Sequence, residues 1–125
     1  MYSIEFYETS SGYSEVLEFL ASLQAQLTTS KDARIQYQQI VRYIQFLQDN
    51  GTTLPSTIIK HLEGDIWELR PGNNRIFFFC FLGDTYILLH HFRKKTQKTP
   101  KREITQAVAE MNDYIQRKES QDELE

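Results

Sequence analysis

The chain has 125 residues, which suits one domain, and its 40% hydrophobic content is enough for a substantial core. Its single cysteine, Cys80, excludes an internal disulfide, and neither a signal peptide nor a membrane-spanning run is visible, so we expect a cytoplasmic protein. The formal net charge of −3 is unevenly distributed, because six of the 14 basic residues lie in residues 92–102, a segment without acidic residues.

The first half of the chain predicts one strand followed by two helices. Residues 2–7 alternate apolar and polar side chains, which is typical of a half-buried strand. Apolar residues then recur at helical spacing in two segments, and Asn50-Gly51 ends the second one, so a helical hairpin is expected. The apolar faces comprise Val16, Phe19, Leu20, Leu23 and Leu27 in the first helix, and Tyr37, Ile40, Val41, Ile44 and Leu47 in the second.

The second half predicts an antiparallel meander of three strands. Residues 52–59 form a loop, and the strands occupy residues 65–70, 75–82 and 85–92, separated by the turn sequences PGNN and GD. The middle segment, RIFFFCFL, is apolar throughout, as expected for a central strand covered on both faces. We therefore expect Cys80 to be a buried core residue.

A final helix follows the basic segment. Thr99 is predicted to cap it and Pro100 to occupy its first position. Its apolar face comprises Ile104, Ala107, Val108, Met111 and Ile115. The predicted fold is α+β with the order β-α-α-β-β-β-α, forming one domain over residues 1–118 with an acidic, frayed tail at residues 119–125.

Several kinds of active site have no sequence signature here. The five glycines are scattered, so they form no phosphate-binding loop, and no zinc-ligand spacing occurs. His90 and His91 are neighbours on one strand and should point to opposite faces, which makes a shared metal ion unfavourable. We accordingly expect no metal and no cofactor.

The predicted meander brings basic residues to one edge of the sheet. Arg70 ends its first strand, Arg75 begins the second, and the third strand returns residues 90–95 to the same edge. A cationic patch of this kind can bind phosphates and stabilise a pentacovalent phosphorane, and RNA supplies its own 2′-OH nucleophile. Plainer interpretations remain: Arg75 could pair with Glu68 or Asp65, the lysines could be solvated, and Phe92 could belong to the core.

Two segments carry a family resemblance: KHLEGDIWELRPGNNRIFFF and LLHHFRKKTQKTPKREITQA. They resemble the RelE/ParE superfamily of bacterial toxins, most closely its HigB-type, phage-derived branch. The resemblance implies a type II toxin–antitoxin toxin that cuts mRNA at the ribosomal A site without a metal. It also implies a HigA-type helix-turn-helix antitoxin, through which alone the complex would contact operator DNA. A ParE-like gyrase poison and a non-catalytic basic binding module are the alternatives.

The resemblance also assigns roles to individual positions. Arg75 matches the arginine that contacts the scissile phosphate in RelE, and a second phosphate-stabilising arginine corresponds to Arg93, Lys94 or Lys95. The two RelE lysines before the turn have no counterpart, since Ile66 and Glu68 stand there, and the catalytic tyrosine of RelE is also missing.

Proton transfer is therefore the open role. We predict His90 or His91 for it, with Lys60 or Lys94 as alternatives. The predicted catalytic set is Arg75, Lys94, His90, His91 and Lys95, and the predicted RNA-binding set is Lys60, Arg70, Phe92, Arg93, Lys98 and Lys101. Phe92 is expected to stack on a base.

Overall fold

The chain folds as one sheet with helices on both faces, and a computed structural model describes residues 1–124. The strands are β1 (Ser3–Phe6), β2 (Ile59–Glu63), β3 (Ile66–Leu69), β4 (Asn74–Phe81) and β5 (Thr85–Arg93). The helices are α1 (Glu15–Gln24), α2 (Lys31–Asn50) and α3 (Lys101–Leu124), with a 3-10 turn at Gly51–Thr53. Within residues 1–124, no helix is both long and apolar enough to cross a membrane.

The sheet has the strand order β1-β5-β4-β3-β2, which places β4 at its centre as predicted. Strands β2 to β5 pair antiparallel, whereas β1 joins β5 in parallel register, from Ser3 opposite Thr85 to Phe6 opposite Leu88. The α+β class is confirmed, with one strand more than predicted. Strand β2 was missed because most of its residues are exposed on a sheet edge, where no hydrophobic alternation marks them.

Two apolar layers cover the sheet. The layer under α1 and α2 includes Val16, Ile40, Leu47, Phe78 and Leu88. The layer under α3 includes Phe77, Phe79, Ile87, Leu89 and Ala107. Successive phenylalanines of β4 thus point to opposite faces, and burying each contributes about 2 kcal/mol.

The end of α2 follows the predicted glycine signal. Gly51 has a φ of 62°, and a Cβ at this position would lie 2.8 Å from Tyr2 Cε2 and 2.9 Å from the Tyr86 hydroxyl. A side chain there would meet both strain and collision, so the close approach of α2 to β1 and β5 depends on glycine.

Some local predictions are wrong. Cys80 is exposed rather than part of the core, because it lies one residue before the end of β4. Val41 was assigned to the apolar face of α2 but is 45% exposed. Helix α1 ends at Gln24, short of the predicted Leu27. Helix α3 continues through the acidic segment to Leu124, while the last residue of the predicted frayed tail lies outside the described residues.

Candidate functional site

A cleft of about 230 Å³ lies at the sheet edge where β3 ends, β4 begins and the chain leads from β5 to α3. Among the described residues, the charged side chains lining it are Lys60, Arg70, Arg75, Lys94, Lys98 and Glu68. Five cations around one carboxylate make the cleft strongly positive although the chain is acidic. The basic residues therefore form a local cationic surface.

Strand register explains why these side chains meet. Lys60 lies opposite Glu68 on β2 and β3, and Arg75 lies opposite Phe92 on β4 and β5. The backbone N–H of Lys94 donates to the Asn73 carbonyl at 2.7 Å, which ties the end of β5 to the β3–β4 turn. The structure thus brings Arg70, Arg75 and Lys94 together, as the strand topology predicted.

Arg75 is held rigidly in the wall of the cleft. Arg75 is only 5% exposed, and its Nη1 donates to the carbonyls of Gly72 at 2.8 Å and Asn74 at 2.9 Å. Burial lowers the pKa of Arg75, while the charge of Glu68 acts to raise it. Arginine keeps its proton at physiological pH, so Arg75 is a cation whose Nη1 is held by the turn and whose Nε faces Glu68.

Glu68 is the buried carboxylate at the centre of these contacts. Its Oε2 lies 3.9 Å from Arg75 Nε and 3.5 Å from Arg70 Nε, so the plainer pairing of Arg75 with Glu68 does exist. Its Oε1 accepts a hydrogen bond of 2.6 Å from the Thr99 hydroxyl. Thr99 was predicted to cap α3, but the helix begins at Lys101 and the Thr99 hydroxyl donates to Glu68 instead.

His90 lies outside the cleft, under α3. Ile76 pairs with His91 and Phe78 with Leu88, so a β-bulge places Leu89 and His90 together on the α3 side of the sheet. His90 is 1% exposed, with Nδ1 at 2.6 Å from Glu110 Oε1 and Nε2 at 3.2 Å from Glu103 Oε1.

The charge state of His90 follows from these two carboxylates. Burial acts to lower the pKa of His90, but the hydrogen bond and charge of Glu110, together with Glu15 and Glu103, outweigh it and raise the pKa. An imidazolium donates from both nitrogens, which suits two carboxylate partners. The geometry makes His90 a cationic tie between β5 and α3.

His91 points to the opposite face, as expected for neighbours on a strand. Its ring stacks on Phe19 with a centroid distance of 3.7 Å, and its Nε2 lies 2.9 Å from Asn74 Oδ1. Burial, followed by the charges of Arg93 and His90, lowers the pKa of His91 to about 4. The ring is therefore neutral at pH 7 and donates from Nε2 to the Asn74 amide oxygen.

His91 should make the protein lose stability in mild acid. Between its unfolded pKa near 6.5 and its folded pKa of about 4, only the unfolded state takes up the proton, so stability falls as pH falls through this window. His91→Phe keeps an aromatic ring beside Phe19 but cannot titrate. Denaturant unfolding at pH 7 and pH 5 should show that wild type loses about 1–2 kcal/mol more than His91→Phe over this interval. Equal losses in the two proteins would contradict this assignment.

The remaining predicted residues are divided between the faces of the sheet. Arg93 lies on the α2 side, where Nη1 donates to Gln36 Oε1 at 3.0 Å and Asn74 Oδ1 at 3.2 Å. Phe92 is partly buried against the apolar layer under α3. Lys95 and Lys101 are exposed and do not line the cleft. Of the predicted residues, Lys60, Arg70, Arg75, Lys94 and Lys98 are therefore the ones that share it.

His61, although next to Lys60 on β2, has its ring on the other face of the sheet. The ring lies 5.0 Å from that of Trp67, which packs in the layer under α1 and α2, whereas Glu68 faces the segment before α3. Its Nε2 donates to the Gly64 carbonyl at 2.7 Å. Lys60 is therefore the basic side chain that β2 contributes to the cleft, and β2 had no clear sequence signal.

This combination of fold and cleft places the chain in a known structural class. It superposes on a chain of the archaeal RelE–RelB complex from Pyrococcus horikoshii OT3 with a TM-score of 0.51 and 15% identity, covering 78% of this chain and 98% of that one. A likeness at this identity establishes a RelE-like fold. Phage-derived Gp49-like proteins match residues 19–112, and the chain belongs to that family. No curated protein matches the chain in sequence. The predicted relationship to the RelE/HigB-type toxins is confirmed.

Proposed function

We propose that the protein is the toxin of a type II toxin–antitoxin system and acts as a ribosome-dependent mRNA endoribonuclease. The observation that carries this proposal is the cationic cleft built around the buried, turn-anchored Arg75. Family membership and the RelE-like fold support it. The proposed partners are the ribosome, mRNA and an antitoxin of the HigA type, and the structural neighbour was itself solved as a complex with RelB.

The chemistry requires no group that the chain lacks. The 2′-OH attacks the adjacent phosphorus, a bond from the 2′ oxygen to phosphorus forms, and the bond to the 5′ oxygen breaks. A 2′,3′-cyclic phosphate and a 5′-OH result. Arg75 and Lys94 stabilise the extra negative charge of the phosphorane, and Arg70 and Lys98 bind neighbouring phosphates.

Two protons move in this reaction, one from the 2′-OH and one to the leaving 5′ oxygen. Of the residues predicted for proton transfer, Lys60 and Lys94 line the cleft, whereas His90 and His91 do not. We propose that these two lysines share the transfer, one accepting the 2′-OH proton and the other donating a proton to the leaving 5′ oxygen.

The test is cleavage of a defined mRNA by the purified protein, mapped by primer extension with and without translating ribosomes. Cuts that require ribosomes and follow the codon register support the proposal. Cuts on free RNA alone would identify a ribosome-independent nuclease. No cut in either condition would contradict the proposal, and gyrase-dependent DNA damage after expression would then point to the ParE-like activity. Absence of growth arrest would point to a binding module.

A further inference from the structure

We propose that Glu68 is a positioning residue that assembles the cleft from separate parts of the chain. Its charge holds the Arg75 guanidinium of β4, and its hydrogen bond with Thr99 holds the segment that carries Lys94 and Lys98. The catalytic part of this proposal rests on the ribonuclease function proposed above, whereas the structural part does not.

The burial of Glu68 is the first argument. Its side chain is only 2% exposed, and a carboxylate removed from water is costly unless cations or hydrogen-bond donors surround it. Its partners come from three places: Arg70 at the end of β3, Arg75 on β4 and Thr99 just before α3. The Glu68 carboxylate thus contacts side chains from β3, from β4 and from the segment just before α3.

The second argument is that the Glu68 carboxylate makes no hydrogen bond to the Nε–H group of either arginine. Arg75 Nε stays 3.9 Å from Glu68 Oε2, beyond hydrogen-bond range. Arg70 Nε is at 3.5 Å and, among the described residues, is a buried polar atom without a hydrogen-bond partner. Glu68 therefore offsets the repulsion between the two arginines through its charge, without hydrogen bonds to their Nε–H groups.

The third argument concerns the Lys94–Lys98 segment. The Thr99 hydroxyl is within 2.6 Å of Glu68, and this bond lies directly before the first turn of α3. Nearby, the segment is also fixed at its start by the bond from the Lys94 N–H to Asn73. The two lysines are thus carried by a stretch anchored at both ends, one of them through Glu68.

Glu68→Gln is the primary test, because it keeps the size and the acceptor for Thr99 but removes the charge. We expect the kcat for ribosome-dependent cleavage to fall by about 100-fold, since Arg75 loses the charge that orients it. Binding of a single-stranded RNA oligonucleotide should be unchanged or tighter, because one negative charge leaves a cationic cleft. The shape of the pH–rate profile should not change, because a positioning residue transfers no proton.

Thr99 supplies an independent pair of variants. Thr99→Ser keeps the hydroxyl and should retain wild-type kcat, whereas Thr99→Val removes it and should lower kcat by about tenfold. Because Glu68→Ala removes the acceptor of the Thr99 hydroxyl, the double variant Glu68→Ala/Thr99→Val should cost clearly less than the product of the single effects if Thr99 acts through Glu68. Independent, multiplicative losses would overturn the proposed connection.

A readout without catalysis separates this inference from the proposed function. The ¹⁵N relaxation of the Arg75 Nε–H group should show an ordered side chain in wild type and Thr99→Ser, and faster motion in Glu68→Gln. If wild type cleaves no RNA but this difference appears, the ribonuclease proposal fails and the positioning role stands. The positioning role of Glu68 would be overturned if Glu68→Gln left the order of the Arg75 side chain or the kcat unchanged. It would also be overturned if RNA binding fell in parallel with kcat, or if the pH–rate profile lost its acidic limb.

Discussion

Arg75→Ala is expected to lower the rate of ribosome-dependent mRNA cleavage by about 100- to 1000-fold, the cost typical of removing one donor that stabilises a transition-state oxyanion. Arg75 is the cation of the cleft whose position is most strictly determined, since two backbone carbonyls of the β3–β4 turn hold its Nη1. Arg75→Lys retains the charge but cannot reproduce the planar, multidentate guanidinium, so a loss of about tenfold or more is expected.

The measurement is single-turnover cleavage of ribosome-bound mRNA, and the matched control is Arg42→Ala. Arg42 lies on the exposed face of α2, on the opposite side of the sheet from α3, so its removal should leave the rate unchanged. Circular dichroism must show that Arg75→Ala is folded, because a buried cation is being removed. A folded Arg75→Ala protein that cleaves at the wild-type rate would refute the role assigned to the cleft.

His90→Gln is expected to lower the free energy of unfolding by about 3 kcal/mol, as when one partner of a buried ion pair is removed. Glu103 and Glu110 of α3 would then lack the imidazolium that joins them. Cleavage, measured well below the unfolding temperature, should persist, because His90 does not line the cleft. Loss of cleavage without loss of stability would instead make His90 the proton-transfer residue.

The free energy of unfolding that His90 contributes should change with pH in a defined direction. Because the folded pKa of His90 is raised above 6.5, its stabilising contribution is fully present below pH 6.5 and is lost as pH rises through the folded pKa. The stability difference between wild type and His90→Gln should therefore shrink at alkaline pH. His61→Gln is the matched control, and its exposed side chain predicts a small change in stability.

The strand topology could be predicted because its signals are local. The alternation in residues 2–7, the helical spacing of residues 16–23 and 37–47, and the turn before Arg75 each depend on near neighbours in the chain. Once three antiparallel strands are recognised, Arg70, Arg75 and Lys94 must meet at one edge, and they do. The general position of the cleft can therefore be predicted from the amino-acid sequence.

The hydrogen-bond and ion-pair partners of each side chain are harder to predict, because they depend on contacts between residues distant in sequence. The β-bulge opposite Phe77 places His90 on the α3 side, where α3 supplies Glu103 and Glu110. Edge strand β2 brings Lys60 into the cleft although its exposed residues show no clear pattern. A bulge and an exposed edge leave hydrophobic periodicity almost unchanged, so periodicity could not reveal either.

The amino-acid sequence by itself determined the α+β class, the helical hairpin, the central β4 and the clustering of basic residues in residues 92–102. Local periodicity and turn chemistry are sufficient for these features. Only the tertiary structure decided which basic residues share the cleft, that Arg93 turns to the α2 side, and that Glu68 joins Arg75 to Thr99. These outcomes depend on strand register and on the packing of α3. Together they allow residues 31 positions apart, such as Glu68 and Thr99, to form a hydrogen bond.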